Sequence, residues 1–386
     1  MSSAPAQLHR QRYGPDGAAF QAPGRVNLIG EHTDTSEGFV MPAALDLRTV
    51  STISPRSDTI ANIYSANFDE QVCFDLRRLP AAPRKHWSDY PGGVLCALEQ
   101  RGMNFNGFDM TLSGNVPLGA GLSSSASVEV AVAIAVLAHA GVAMPKTEIA
   151  KLCQSTENNF IGAQSGIMDP LASICGVEGH ALLLDCRSLR YEPLPLSPDV
   201  MLIICNTMVK HALSDGGDYN RRRAEVQEGV RILQSHRPEI RTLRDVTEEE
   251  LRACESEMPR HIFLRCLHVV TEDARVIEAA EALRRQDFAR FGVLMHEAHV
   301  SMRDNYAASC AEADTMVELA AKEHGCYGAR ITGGGFGGCT VNLVAADHAK
   351  KFVENVRAGY EKATGIRAEI YLSRASNGAG PMLVSE

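Results

Sequence analysis

The sequence lacks an excess of positive charge and any long uninterrupted apolar run. With 38 lysines and arginines against 47 aspartates and glutamates, the formal net charge is -9. This balance argues against nucleic acids and anionic membranes as main partners. The longest apolar region, residues 128–142, contains a glutamate and a histidine and is too short to cross a bilayer. Residues 1–14 include two arginines but no apolar stretch, so we expect no secretory signal.

Closely spaced cysteine pairs are also missing. The 11 cysteines are odd in number and include no C-x-x-C pair, so the pattern predicts neither a disulfide framework nor a zinc site. Reduced thiols fit this pattern best, and we expect a soluble cytoplasmic protein. The 386 residues, 45% hydrophobic and 22% charged, are typical of a globular chain long enough for two domains.

A proline-rich interval divides the chain. Three prolines between residues 191 and 200 interrupt regular structure, and we place the domain boundary there, giving domains 1–195 and 196–386. Hydrophobic periodicity predicts strands at 50–53 and 61–64, a buried helix at 128–140, an amphipathic helix at 146–160, and charged helices at 220–235 and 259–285.

The common nucleotide-binding motifs are absent or out of context. No G-x-x-x-x-G-K-[ST] sequence occurs, and the protein-kinase motifs are missing. Residues 333–338, GGGFGG, formally satisfy G-x-G-x-x-G, but residues 339–344 read as a strand. A dinucleotide fingerprint requires a helix at that point. The segment therefore predicts a flexible turn, and a dinucleotide-dependent oxidoreductase is the least favoured class.

Residues 117–127, PLGAGLSSSAS, are the most informative segment, and we call them the phosphate loop. Two glycines let the backbone bend tightly and approach a ligand. Three serines then precede an apolar helix, where unpaired N–H groups and the helix dipole favour an anion. We predict a nucleotide phosphate site. An ordinary serine N-cap on a buried helix is the alternative that this segment leaves open.

Residues 24–34, GRVNLIGEHTD, bring polar side chains together between glycines, and we call them the sugar signature. Arg25, Glu31, His32 and Asp34 offer the mixture of donors and acceptors that a polyhydroxylated ligand requires. The interleaved apolar residues predict a buried strand leading into the turn, which is a rigid support for a site. A surface loop is the alternative.

Two more carboxylates are candidates. Asp169 precedes a proline and an apolar run, which is typical of a helix N-cap, although a capping carboxylate can keep one oxygen facing a cleft. Glu157 lies beside the apolar stripe of the helix 146–160, where a buried carboxylate needs a partner such as a cation. His296 and His299 are three residues apart, but without a third ligand we interpret them as solvated or packed histidines.

Taken together, the segments 24–34, 117–127 and 329–339 resemble three motifs of the GHMP family of small-molecule kinases, most closely its galactose-phosphorylating members. The flanking segments 185–189 and 206–211 are also typical, and the resemblance covers nearly the whole chain. It implies an α+β fold of two domains with the active site in the cleft between them. It also implies transfer of a phosphoryl group from ATP to the C1 hydroxyl of α-D-galactose by a monomer, with Mg²⁺ as the cofactor.

The resemblance assigns roles residue by residue. Asp169 matches the catalytic aspartate, as a base or as a group that orients the hydroxyl, with Arg25 beside it. Ser125 and Glu157 match the positions that hold Mg²⁺. The sugar-facing positions are Arg25, Glu31, His32, Asp34, Gly166, Asp169 and Tyr219. The ATP-facing positions are Trp87, Pro117, Gly119, Ala120, Gly121, Leu122, Ser123, Ser124 and Ser125.

Three departures from the family pattern occur, and none removes a proposed contact. Thr35-Ser36 replaces the usual Tyr-Asn, Pro170 replaces Gln, and Gly334 replaces Ala. The alternatives are a GHMP kinase for N-acetylgalactosamine, another sugar or mevalonate, and a non-catalytic sensor that binds ATP and galactose. The complete sugar signature favours galactose over substrates that are not sugars. The intact catalytic and metal positions argue against a sensor.

Overall fold

The computed structural model describes residues 3–14, 17–209 and 217–382, so Lys210 and His211 of the segment 206–211 lie outside it. The strands are β1 (Ala18–Asn27), β2 (Phe39–Val40), β3 (Pro42–Pro55), β4 (Ile60–Ser65), β5 (Glu70–Asp75), β6 (Phe108–Gly114), β7 (His180–Asp185), β8 (Tyr191–Pro195), β9 (Val200–Asn206), β10 (Cys326–Thr332), β11 (Cys339–Ala345), β12 (Glu369–Ser373) and β13 (Gly380–Pro381). The helices are α1 (Ser3–Tyr13), α2 (Asp89–Glu99), α3 (Ser124–His139), α4 (Lys146–Ser155), α5 (Met168–Cys175), α6 (Gly217–Gln234), α7 (Glu248–Ala253), α8 (Arg260–Arg284), α9 (Phe288–Asp304), α10 (Ala311–Ala321) and α11 (Ala349–Thr364).

Within the described residues the strands form three sheets. The first has the order β13-β1-β3-β6-β4-β5, the second β10-β11-β9-β12 and the third β2-β7-β8. In the first sheet β4 runs parallel to β6, whereas β1 and β3 are antiparallel. This mixture of helices and sheets confirms the predicted α+β class. The boundary at 195/196 falls between β8 and β9 and stays a prediction, since β13 returns to pair with β1.

The central helix of the first half is α3. Its small and β-branched apolar residues are buried on nearly all sides, and it packs against β1 and β3, as its composition predicts. The Ser127 hydroxyl fastens it to the sheet, donating to the Ala22 carbonyl at 2.7 Å and accepting from the Thr49 N–H at 3.1 Å. The helix starts at Ser124, and Gly141 follows its end with a φ of +67°. The phosphate loop therefore leads directly into a rigid buried helix.

Most of the predicted elements are confirmed. The strands at 50–53 and 61–64 lie within β3 and β4, and the helices at 220–235 and 259–285 correspond to α6 and α8. The helix predicted at 146–160 is different, because α4 ends at Ser155 and continues as a π-helical turn, Thr156–Ile161. The cysteines are free, and among the described residues no helix has the length and apolar character that membrane crossing requires.

Candidate active site

The sugar signature, the phosphate loop and the glycine-rich turn at 333–338 meet at a cleft of about 800 Å³. All seven predicted sugar-facing residues line it, together with Glu157 and, from the phosphate loop, Gly119, Gly121, Ser123, Ser124 and Ser125. The rest of the lining is Tyr90, Ile161, Gly162, Ala163, Ser165, Met168, Asn220, Gly333 and Gly334. Residues far apart in the sequence are thus gathered around one cavity of the size that small-molecule sites have.

Asp169 is fixed from two sides. Arg25 donates to its Oδ1 from Nε and from Nη2, each at 2.7 Å, while the Ser123 hydroxyl donates to Oδ2. The Asp169 side chain keeps 23% of its surface exposed, whereas that of Arg25 keeps 5%. A charged, hydrogen-bonded carboxylate with this much exposure stays available to a ligand in the cleft.

The predicted helix N-cap role of Asp169 is wrong. Helix α5 begins at Met168 with Ile167 as its N-cap, so Asp169 lies inside the first turn, and its carboxylate is bound by Arg25 and Ser123. The carboxylate is bound by the guanidinium of Arg25, which comes from β1. A charged donor binds a carboxylate more strongly than a backbone N–H does. Asp169 therefore faces the cleft and not its own helix.

Ser123 also differs from an ordinary N-cap. Its backbone is left-handed, with a φ of +56°, and its side chain makes no cap hydrogen bond to α3. This conformation is uncommon for a residue with a Cβ, and it accompanies the contact of Oγ with Asp169. Arg25 also donates from Nη1 to the Gly121 carbonyl at 2.7 Å and from its backbone N–H to the Leu122 carbonyl at 3.2 Å. The sugar signature and the phosphate loop are thus directly joined.

Glu31 is buried beneath the cleft. Its Oε1 accepts from the Gly333 N–H at 2.8 Å and from the Thr332 hydroxyl at 3.2 Å, and it lies 3.4 Å from Arg330 Nη1. Burial raises the pKa of Glu31, against the opposing charges of Arg330 and Arg25. These contacts orient Glu31 as an acceptor and connect the sugar signature to the third motif.

His32 presents a neutral imidazole to the cleft. Its φ is +63°, and its ring lies 4.3 Å from the ring of Tyr306 and 5.4 Å from that of Tyr219. Among the described residues, its Nε2 has no hydrogen-bond partner. Burial, together with the charges of nearby His268 and Arg330, lowers the pKa of His32 to about 3. A buried nitrogen without a partner is costly, so this atom is suited to a ligand hydroxyl.

Asp34 completes the polar wall on this side. Burial, followed by the charges of Asp169 and Glu31, raises the pKa of Asp34 to about 6. Its Oδ1 accepts from the Thr35 N–H at 2.9 Å. Gly166 packs against the carboxylate so closely that a Cβ there would lie 1.8 Å from Asp34 Oδ2. The glycine is required by this approach and not by a turn.

Two acidic side chains lie next to the phosphate loop. Glu157 is carried by the π-helical turn. Burial raises its pKa, although hydrogen bonds from Ser125 and Ser165 act to lower it. Glu129, one helical turn beyond Ser125, is buried, and its Oε1 has no partner in the part of the chain that the structure describes. Burial and the charges of Glu157 and Asp169 raise its pKa well above the ordinary value. The carboxyl oxygens of Glu157 and Glu129 are oxygen ligands of the kind that a hard cation such as Mg²⁺ prefers.

The glycine-rich turn brings backbone against backbone. Gly333 has a φ of +83°, and a Cβ there would lie 2.8 Å from the Gly121 carbonyl oxygen. Strand β11 follows the turn directly, as predicted, so the turn lacks the helix of a dinucleotide fingerprint. The phosphate loop and the third motif are therefore in close contact along the rim of the cleft.

Not every predicted ATP-facing residue lines the cleft. Pro117, Ala120, Leu122 and Trp87 are not part of its lining, and Ala120 and Leu122 are buried in the core. The indole of Trp87 stacks on Phe68 at 5.9 Å and donates to Glu70 at 2.9 Å. The adenine role of Trp87 therefore stays a prediction.

Sequence reasoning missed several residues that shape the site. Arg330 stood in the third motif without a role, and Tyr90, Tyr306 and Glu129 were not singled out for one. The local sequence does not reveal their roles, because these depend on where the fold places the side chains. The two histidines at 296 and 299 match their interpretation, since His296 is exposed and His299 is buried within 3.3 Å of Asp314.

Comparison with known proteins gives the chain its family. Family models match at residues 7–55 (galactokinase galactose-binding signature), 89–177 (GHMP kinases N terminal domain) and 279–362 (GHMP kinases C terminal). Galactokinase from Roseiflexus sp. (strain RS-1) is 43% identical over 94% of this chain and 92% of that protein. Galactokinase from Fusobacterium nucleatum subsp. nucleatum is 40% identical over 96% of each.

Solved structures of similar fold agree with this family assignment. Lactococcus lactis galactokinase complexed with galactose superposes with a TM-score of 0.95 at 34% identity, covering 99% of this chain and 100% of that one. The Methanococcus jannaschii mevalonate kinase, at 19% identity and a TM-score of 0.66 over 95% of this chain and 100% of that one, shares the fold. The chain belongs to the galactokinase family of GHMP kinases.

Proposed function

We propose that this protein transfers the γ-phosphoryl group of ATP to the C1 hydroxyl of α-D-galactose, giving galactose 1-phosphate and ADP. The observation that carries the proposal is the position of Asp169. One of its oxygens is held by Arg25 of the sugar signature and the other by Ser123 of the phosphate loop. A carboxylate between a polyol pocket and a phosphate loop stands where an acceptor hydroxyl and a terminal phosphate meet.

The sugar end of the cleft supplies hydroxyl partners of different kinds. Glu31 and Asp34 are acceptors when ionised, and His32 offers an Nε2 that no described residue pairs with. Because these groups are buried or half-buried, a sugar that fails to pair with one of them leaves it unsatisfied. Sites of this kind reject an analogue lacking the required hydroxyl by about 10⁴-fold or more. We therefore expect strong selection against glucose, whose C4 hydroxyl is inverted.

The phosphate end combines backbone and side-chain groups. The loop from Gly119 to Ser125 would surround the triphosphate, and the N-terminus of α3 adds N–H groups and a favourable dipole. Ser125 and Glu157 would hold Mg²⁺ through their oxygen atoms. Burial raises the pKa of Glu157, and a bound cation would offset that cost by stabilising the ionised carboxylate. When bound, the ion offsets the charge of the phosphates.

Asp169 would act on the acceptor hydroxyl. The two donors fix its carboxylate, so the C1 oxygen is held in line with the terminal phosphate and its proton is accepted or oriented there. In phosphoryl transfer most of the rate enhancement comes from alignment and charge stabilisation. A fixed carboxylate is therefore sufficient even if it is a weak base.

A panel of sugars tests the proposal. The purified chain is incubated with Mg-ATP and galactose, glucose, N-acetylgalactosamine or mevalonate. ADP release is measured, and the phosphorylated position is assigned by NMR. We expect turnover with galactose at C1 and about 10⁴-fold lower kcat/KM for glucose. Preference for another acceptor, phosphorylation at another hydroxyl, or binding without ADP release would each contradict the proposal.

A further inference from the structure

A mixed cluster of potential metal ligands lies on the helical part of the second half, outside the lining of the cleft. It consists of the Nε2 atom of His236, the Sγ atom of Cys254 and the carboxylate of Glu257, whose ligand atoms all lie within 4.8 Å of one another. His236 and Glu257 are already in contact, at 2.5 Å. In the part of the chain that the structure describes, no other trio of histidine, cysteine and acidic side chains is as close.

The backbone holds the three ligands in place. His236 comes two residues after the end of α6, Cys254 directly follows α7, and Glu257 ends a short 3-10 turn. The N–H of Glu257 donates to the carbonyl of Cys254 at 3.1 Å, and the N–H of His236 donates to the Leu233 carbonyl at 3.1 Å. The segments that carry these ligands pack on one hydrophobic cluster through Leu233 and Leu251. The trio is therefore preorganised by the fold.

The ligand types define the class of ion. Imidazole, thiolate and carboxylate together suit Zn²⁺ and its neighbours, whereas Mg²⁺ and Ca²⁺ require oxygen ligands. Tetrahedral coordination at about 2.0 Å for nitrogen and oxygen and 2.3 Å for sulfur places ligand atoms about 3.3–3.5 Å apart. Side-chain rotations would bring the ligand atoms from within 4.8 Å of one another to this spacing, and the ion would replace the proton between His236 and Glu257.

We propose that His236, Cys254 and Glu257 form a binding site for Zn²⁺ or a similar divalent transition metal, with the fourth position open to water. Three protein ligands and one water match the pattern of open zinc sites. The thiol of Cys254 is half-buried, while His236 and Glu257 are exposed, so an ion has access from solvent.

A bound ion would link the end of α6 to the turn after α7. Because α6 begins two residues before Tyr219, which lines the cleft, the link would stabilise a helix that contributes to the active site.

The sequence pattern does not reveal this site because its ligands come from two segments, one after α6 and one after α7. Cys254 and Glu257 are only three residues apart, but the histidine precedes them by a helix and several turns. No C-x-x-C pair or closely spaced histidine pair marks it. The contact exists only once α6 and α7 have both packed against α8.

Metal binding to the full-length protein tests the proposal. The metal-free reduced protein is titrated with Zn²⁺ by calorimetry, with excess Mg²⁺ present to saturate sites made of oxygen. Co²⁺ then replaces Zn²⁺, and the thiolate-to-metal charge-transfer absorption is recorded. We expect one equivalent of Zn²⁺ to bind, the melting temperature to rise, and Co²⁺ to give the thiolate band.

Matched variants assign the ligands. C254S should remove the Co²⁺ band and weaken Zn²⁺ binding by at least about tenfold, the loss already seen when only an outer partner of a ligand is removed. H236N should weaken binding similarly. C310S, another half-exposed cysteine, and H324N, from a histidine pair in contact with His348 at 2.8 Å, should leave stoichiometry, affinity and the band unchanged.

Two results would overturn the site. One is wild-type protein that binds Zn²⁺ no more tightly than C254S, and the other is loss of the bound equivalent in H324N instead of H236N. Circular dichroism and the melting temperature of each metal-free variant check that it is folded. If C254S does not fold, E257Q serves in its place, because it keeps an acceptor for His236 but lacks the charge, and unchanged Zn²⁺ affinity in E257Q would equally refute the assignment.

Discussion

The guanidinium of Arg25 binds a single oxygen of Asp169, using Nε and Nη2 at 2.7 Å each. The second oxygen is thereby left to Ser123. A bidentate fork would have used both oxygens. This unsymmetrical arrangement lets one carboxylate be anchored by the sugar signature while it contacts the phosphate loop, and it gives Asp169 a defined orientation before any ligand binds.

Replacement of Asp169 with asparagine should separate chemistry from binding. The amide side chain keeps one acceptor for Arg25 but carries no charge and accepts a proton poorly, so we expect D169N to lower kcat by about 10²–10⁴-fold. Galactose binding, followed by calorimetry, should remain measurable. D109N is the control, since Asp109 is also paired with an arginine, Arg56, at 3.0 Å but does not line the cleft. Near-normal turnover in D169N would remove Asp169 from the mechanism.

Asp34 should act on stability and on sugar binding in opposite directions. Its pKa in the folded protein is about 6, above the ordinary 3.8, so its ionisation destabilises the fold. The protonated Asp34 therefore favours the folded state. This stabilisation is fully present below about pH 4 and is lost as the pH rises through 6. D34N should therefore raise the free energy of unfolding of the ligand-free protein by about 1–3 kcal/mol at pH 8 and by nothing at pH 4.

The same variant should bind galactose more weakly, because it loses an anionic acceptor. Denaturant unfolding at the two pH values measures the first effect, and the KM for galactose measures the second. D58N is the comparison, since a hydrogen bond from Arg56 lowers the pKa of Asp58 to about 2 and its removal should not stabilise the protein at pH 8. Equal unfolding midpoints for D34N and wild type at pH 8 would be evidence against a destabilising Asp34 charge.

Glu157 should determine the requirement for Mg²⁺. Removing its charge in E157Q should raise the Mg²⁺ concentration for half-maximal activity by at least about tenfold, because an anionic oxygen ligand is lost. The titration is run with ATP held constant. E148Q, an exposed glutamate paired with Lys151 at 2.8 Å, should behave as wild type. An unchanged Mg²⁺ dependence in E157Q would assign the ion to other groups.

Gly166 should control the KM for galactose through Asp34. A Cβ at this position would lie 1.8 Å from the Asp34 carboxylate, so G166A must displace that group. A displacement of about 1 Å in a binding residue costs up to about 10²-fold, and we expect G166A to raise the KM by about tenfold or more. G380A, where a Cβ meets nothing within 4 Å, should leave the KM unchanged. A G166A enzyme with the wild-type KM would show that Asp34 does not contact the sugar.

The sequence correctly predicted those elements and motifs whose structure depends on neighbouring residues. The buried helix α3, the strand after the glycine-rich turn and the grouping of Arg25, Glu31, His32 and Asp34 follow from periodicity, glycine position and polar clustering. These features depend on neighbours within one turn or one strand. They survive folding because tertiary contacts reinforce the local preference.

Where a distant partner decides, local sequence patterns predicted the wrong arrangement or none. Asp169 has the local pattern of an N-cap, but Arg25 takes its carboxylate from another strand. Arg330 becomes part of the site through its ion pair with Glu31, and the sequence around Arg330 does not predict that partner. The π-helical turn that carries Glu157 likewise replaces the regular end of a helix. For Asp169 and Arg330, the contact that decides the role is made with a residue far away in the sequence.

The contact between Gly121 and Gly333 limits how this chain can exchange segments with its relatives. A methyl group at position 333 would reach within 2.8 Å of the carbonyl oxygen at 121, so the close approach of the two loops requires glycine at 333. A chimera whose junction separates them inherits one loop from each parent. Such hybrids should assemble an intact rim when the parent that supplies residue 333 has glycine there, and should otherwise be forced to widen the cleft.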